Sequence, residues 1–73
     1  MQELIRKDYD YILYQEEEKL LLSVVCGTVA VFELTILLTK KEVLQYQQQG
    51  EAFTDSLASK IQYNPDDFVK RMR

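Results

Sequence analysis

From Leu20 to Leu38 the chain reads LLLSVVCGTVAVFELTILL, apolar at almost every position and interrupted only by Ser23, Gly27, Thr28, Glu33 and Thr35. A run of about 18 or more mostly apolar residues is long enough for a transmembrane helix, and Lys19, Lys40 and Lys41 flank it as interface anchors would. The finer pattern points elsewhere. Val24, Val25, Thr28, Val29, Val31, Thr35 and Ile36 are β-branched and suit a pleated surface better than a helix. From Ala30 onward the alternate residues Ala30, Phe32, Leu34, Ile36 and Leu38 are apolar, while Glu33 and Thr35 fall on the other face, which is the period of a strand. Gly27-Thr28 near the middle suits a two-residue type II′ turn, whose first position needs positive φ. The run is therefore expected to be a hairpin of two strands.

Upstream, DYDYILYQ places Tyr9, Tyr11 and Tyr14 around Ile12 and Leu13 and then meets the polar EEEK, which reads as another hairpin. The expected sheet is a three-stranded antiparallel meander over roughly residues 8–15, 19–26 and 29–38, about the minimum for independent stability under a covering helix. Residues 1–7 read equally as a short helix or a strand.

After the sheet the period changes. Thr39 and Glu42 have capping-box spacing, with Leu38 and Val43 placed for a hydrophobic staple, so a helix starts at Lys40 and ends near Gly50. Val43, Leu44 and Tyr46 are its expected inward side. Phe53, Leu57 and Ile61, with Ala58, form a narrow stripe on a second helix of about twelve residues. Asn64 is placed to cap a third, short helix with Pro65 at its first position and Asp66 and Asp67 in its first turn, burying Phe68, Val69 and Met72. Strands first and helices after give an α+β domain, residues 1–73, with two to three C-terminal helices on one sheet face.

Composition narrows the function. A chain of 73 residues buries only about 60% of its unfolded surface, so the core is thin. One cysteine forms no internal disulfide and there is no histidine, which leaves oligomerisation as the remaining way to reinforce it. The net charge of −3 argues against a dedicated nucleic-acid binder. The basic residues Arg6, Lys7, Lys70, Arg71 and Arg73 sit at the two chain ends, where charges are usually solvated. MQELIRKDYD lacks the apolar stretch of a secretory signal, so a cytoplasmic location is expected, with neither membrane nor nucleic acid as partner.

Candidate chemistry is sparse. Cys26 has no histidine to activate it and ends an apolar strand, so it reads as a small buried hydrophobe. Glu33 reads as an outward-facing residue of a half-exposed sheet, or more sharply as a carboxylate that meets a base on a partner chain. Glu16, Glu17 and Glu18, like Asp66 and Asp67, lack the spaced ligands of a calcium loop. No catalytic, cofactor-binding or metal-binding residue is assigned, and the chain is read as non-enzymatic.

The face opposite the helices is too apolar for water alone: Val29, Val31, Glu33, Thr35 and Leu37 line it on the last strand, and the preceding strand is apolar on both sides. Whether Leu21, Ser23 and Val25 or Leu20, Leu22, Val24 and Cys26 join that face depends on whether the turn has two residues or one more. Such a patch marks an interface. The expected protein is a self-associating α+β domain, a homo-oligomer and most simply a twofold dimer through this face or an edge strand, that acts by protein–protein interaction as an adaptor, a toxin-neutralising partner or a regulator. The alternative is a small-molecule binder with a pocket between sheet and helices or at the dimer interface, touched by Tyr11, Tyr14, Tyr46 or Glu33.

Overall fold

The tyrosine-rich segment and the apolar run are both strands. The computed structural model describes residues 2–8, 10–26 and 32–71. β1 (Gln2–Lys7), β2 (Tyr11–Glu16), β3 (Lys19–Cys26) and β4 (Phe32–Leu37) form one antiparallel sheet in the order β1-β2-β3-β4, followed by α1 (Lys40–Gln49), α2 (Glu51–Tyr63) and α3 (Asp66–Val69). The domain is α+β as expected, but the sheet has four strands where three were expected. Residues 2–7 supply the extra one. A register shift between Glu3 and Ile5 interrupts the alternation, and Leu4 and Ile5, adjacent in sequence, both pack half-buried against the core. Adjacent apolar residues carry no period-two signal.

The β2–β3 hairpin closes tightly: Glu16 pairs with Lys19 across Glu17-Glu18, and Glu17 adopts φ 57°. At the other hairpin Cys26 pairs with Phe32, leaving residues 27–31 between the paired ends. The turn expected at Gly27-Thr28 and the strand start expected at 29 lie outside the described residues. The register of β3 and β4 is nevertheless fixed. Val24 faces Leu34 and Leu22 faces Ile36, so Leu20, Leu22, Val24 and Cys26 share the helix-covered side and Leu21, Ser23 and Val25 turn to the opposite one.

The core lies between that side of the sheet and α2. Tyr11, Leu13, Leu22, Val24, Leu34, Ile36 and Ile61 are essentially inaccessible, with Leu57 and Ala58 beside them. Polar bonds fix α2 at both ends. Near its start, the Tyr11 hydroxyl lies 2.9 Å from Thr54 Oγ1 and donates to Asp55, which also accepts from the Lys7 ammonium. Near its end, Gln62 Nε2 donates to Asp10 Oδ1 at 2.8 Å and to the Val25 carbonyl at 3.3 Å.

Helix α1 is more peripheral. Val43 and Tyr46 pack against the core, but Leu44 is 57% exposed, against expectation. At 100° per residue Leu44 and Tyr46 lie about 200° apart on the helix, so one narrow contact cannot take both. In α3, Phe68 packs inward while Val69 is exposed, because a single turn presents one face; Met72 lies outside the described residues. No side chain caps α3, and Asn64 contributes its backbone carbonyl to the Asp67 N–H instead.

The capping box is present: Thr39 Oγ1 accepts from the Glu42 N–H at 3.2 Å, and Glu42 Oε1 accepts from the Thr39 N–H at 2.9 Å. Arg71 extends it. The guanidinium donates to both Glu42 carboxylate oxygens and to the Leu37 carbonyl and lies over the Phe68 ring, so one side chain ties the chain's end to α1 and β4. Burial pushes the Glu42 carboxyl up, but the Arg71 bonds and the Thr39 N–H outweigh it and hold the group below its ordinary value. A depressed carboxylate contributes stability that is present above its unfolded pKa and lost as pH falls through the folded value.

Two outcomes are expected. Glu42→Gln lowers stability at pH 7 by about 1–2 kcal/mol, and thermal melts from pH 7 to 3 show the wild type converging on the variant as the carboxylate protonates. Glu17→Gly removes the cost of a side chain at positive φ and raises stability by about 0.5 kcal/mol, measured by urea unfolding.

Candidate functional site

All three helices follow the sheet, and the buried part of their packing falls on one side of it. The other side is built by alternation. Partners across the ladders set its rows: Arg6, Ile12, Ser23 and Thr35 in one, Glu3, Tyr14, Leu21 and Leu37 in the next. Beyond the first row, the Val25 N–H bonds to the Asp10 carbonyl and Val25 pairs with Glu33. The centre of this open face is apolar, from Ile12 and Tyr14 on β2 through Leu21 and Val25 on β3 to Leu37 on β4, and charges stand at its margins.

Burial on this face is uneven. Leu21, paired with Tyr14 and Leu37 on the neighbouring strands, is only 3% exposed, whereas Leu37 is 38% exposed. Ser23 is buried and receives a hydrogen bond from the Thr35 hydroxyl at 3.2 Å, which satisfies both polar groups without water. A depression of about 600 Å³ at this end of the sheet is lined by Arg6, Ile12, Ser23, Val25 and Glu33 of this face together with Lys7, Asp8, Tyr11 and Phe32.

Of the residues expected at an interface, Glu33, Thr35 and Leu37 do lie in a line on the open face of β4, while Val29 and Val31 lie outside the described residues. Glu33 is exposed and forms no ion pair among the described residues. The register adds Leu21 and Val25 from β3 and Ile12 and Tyr14 from β2. Leu21 and Val25 were ambiguous in sequence because β3 is apolar on both sides, and the pairing with β4 assigns them; the pairing of β2 with β3 adds Ile12 and Tyr14.

The groups with chemical potential are mostly occupied by one another. Tyr11, 1% exposed, is pushed up to about 12 by burial and by its hydrogen bond to Asp55, so it stays a donor at neutral pH. Asp55 is held below its ordinary value by the Lys7 ammonium and the Tyr11 hydroxyl, and Lys7 is raised by the same contact. Every buried side-chain nitrogen and oxygen among the described residues has a partner. Among these residues no three acidic or thiol groups converge to hold a metal ion. The tyrosines expected to touch a ligand are dispersed: Tyr11 lies in the core, Tyr46 on α1 and Tyr14 on the open face.

Three of the basic residues at the chain ends are likewise engaged, Arg6 with Glu3 and Asp8, Lys7 with Asp55 and Arg71 with Glu42, and Arg73 lies outside the described residues. No helix among the described residues is long and apolar enough to cross a membrane. A second hollow of about 510 Å³ lies between α2 and α3 against Lys60, Tyr63 and Phe68. No family model matches the chain, and neither a curated protein nor a solved structure matches it.

Cys26 is 2% exposed, its thiol lies 3.7 Å from the Val24 carbonyl, and burial pushes its pKa up. A buried thiol with a raised pKa reacts only when the structure opens. Labelling of the native protein by a maleimide at pH 7.5 is therefore expected to be slower than that of the urea-unfolded chain by at least about a hundredfold; rapid native labelling would overturn this placement.

Proposed function

We propose that this chain is a small cytoplasmic, non-enzymatic protein that works through protein–protein interaction and self-associates as a twofold dimer across the open face of its sheet. The observation that carries the reading is the apolar centre of that face, where Ile12, Tyr14 and Val25 are half-buried and Leu37 is exposed, all outside the helix-covered core. A thin single-layer core gains most from a second layer on its bare side. Two such sheets pack about 10 Å apart as a sandwich, each supplying the cover the other lacks.

Size sets the expected strength. Four strands at about 4.8 Å spacing and six residues at about 3.3 Å rise give a footprint of about 20 by 20 Å. That is about 400 Å² per copy and about 800 Å² in all, below the range of stable specific interfaces, so the proposed dimer is a weak, reversible, concentration-dependent one.

A second reading is favoured by one observation, the depression between Arg6 and Glu33, whose volume falls in the range of ligand pockets. A dimer would roof it. A metabolite held there would raise the melting temperature in proportion to the logarithm of its concentration, whereas self-association makes that temperature depend on the protein's own concentration.

Light scattering on a size-exclusion column, run across protein concentrations, tests the proposal. The wild type is expected to approach twice 8.6 kDa as concentration rises. Leu37→Glu is expected to shift it to monomer, with a melting temperature within about 5 °C of wild type measured under monomeric conditions. Thr35→Lys, at a half-buried position in the same line, should act alike. A wild type that stays monomeric, or variants that stay dimeric, would remove this face from the account.

A further inference from the structure

β4 ends the described sheet, so one side of its backbone has no neighbouring strand. The ladder shows which groups face that side. The Leu38 N–H bonds to the Leu20 carbonyl, and bonded pairs alternate in an antiparallel ladder, so Ile36 and Leu34 also turn their backbone groups toward β3 while Glu33, Thr35 and Leu37 turn theirs away. An edge of this kind is a template for a further strand, and a charged side chain is a common way to blunt it. Here the charge comes from the far end of the chain: Arg71 Nη2 donates at 3.1 Å to the carbonyl of Leu37, the last of these outward-facing residues.

The segment that carries Arg71 is weakly held otherwise. α3 is a single turn that buries no residue fully and has no side-chain cap. Its N–H groups bond at short range, Asp67 to the Asn64 carbonyl, Phe68 and Val69 to that of Pro65 and Arg71 to that of Phe68. A turn this short has no stability of its own. Its docking rests on Phe68, which packs against the core, and on the Arg71 guanidinium, which lies over the Phe68 ring and donates to both oxygens of Glu42. Glu42 is independently fixed, because its Oε1 accepts from the Thr39 N–H at the start of α1.

We propose that residues 64–71 form a detachable strap, latched by the Arg71–Glu42 pair, that closes the end of the β4 edge while shut and opens it to a further strand when released. Opening breaks one ion pair and one hydrogen bond to a backbone carbonyl and lifts one half-buried phenylalanine, while the sheet and α2 stay packed. The strap controls the edge of the sheet and is independent of how the open face is used.

Amide hydrogen exchange and light scattering test it together. The N–H groups of Asp67, Phe68 and Val69 are expected to share one opening free energy, well below that of Leu57, Ala58 and Ile61 in α2. Arg71→Gln and Glu42→Gln are each expected to lower their protection about tenfold, and the double variant to lower it by no more than about threefold further, since both changes remove the same pair. At equal concentration Arg71→Gln is expected to form larger species than the wild type does, although it makes the chain more acidic. Adding Thr35→Pro, which removes an outward N–H and no ladder bond, is expected to reverse this; Glu33→Pro does the same if circular dichroism shows the first proline variant unfolded. Protection that is graded along the segment, or unchanged in both single variants, overturns the latch. A strap that opens in Arg71→Gln without larger species, or larger species that persist with the proline, overturns its role at the edge.

Discussion

The packing of Leu57, Ala58 and Ile61 of α2 against Leu13, Leu22, Val24 and Ile36 of the sheet is the contact on which the rest of the structure depends. The two flanking helices carry no fully buried residue, so this single amphipathic stripe is the main apolar seal on the sheet. A stripe at spacing four is narrow, and a narrow stripe tolerates little rotation or sliding. The polar bonds at its two ends, Tyr11 and Lys7 to Thr54 and Asp55, and Gln62 to Asp10 and Val25, fix the helix in both senses. Burial supplies the attraction and the end contacts supply its direction.

How much of this was legible in sequence follows from where the signals are local. The capping box at Thr39 and Glu42, the stop at Gly50 and the Phe53-Leu57-Ile61 stripe depend on residues within one or two turns, and each appears where its spacing placed it. The first strand was not legible, because Leu4 and Ile5 straddle a register shift that erases alternation. Leu44 misled, because an apolar residue beside Val43 looks like part of a face until the helix's contact is known to be one residue wide. The face assignment of β3 was undecidable for a different reason. A strand apolar on both sides has no internal clue to its orientation, and only its partner's register provides one.

The same ambiguity is the link to function. A strand buried on one side by its own chain normally turns polar residues to water. β3 instead turns Leu21 and Val25 outward, and its neighbours add Ile12, Tyr14 and Leu37. Of the candidate interface residues named from sequence, Glu33, Thr35 and Leu37 fall on this surface; their role there rests on the proposed association. Arg6, read from sequence as part of a solvated chain end, is exposed and stands on a sheet margin because residues 2–7 form a strand.

The distribution of polar groups separates the two faces in kind. On the helix side polar atoms are paired to one another: Tyr11 with Asp55, Asp55 with Lys7, Gln62 with Asp10. Such closed networks hold a fold. On the open side Ser23 and Thr35 are bonded to each other in the middle, Arg6 pairs with Glu3 and Asp8 at one margin, and Glu33 at the other is exposed with no ion pair among the described residues. An apolar centre with charges at its rim is a pattern that interfaces share, and it supports the proposed association.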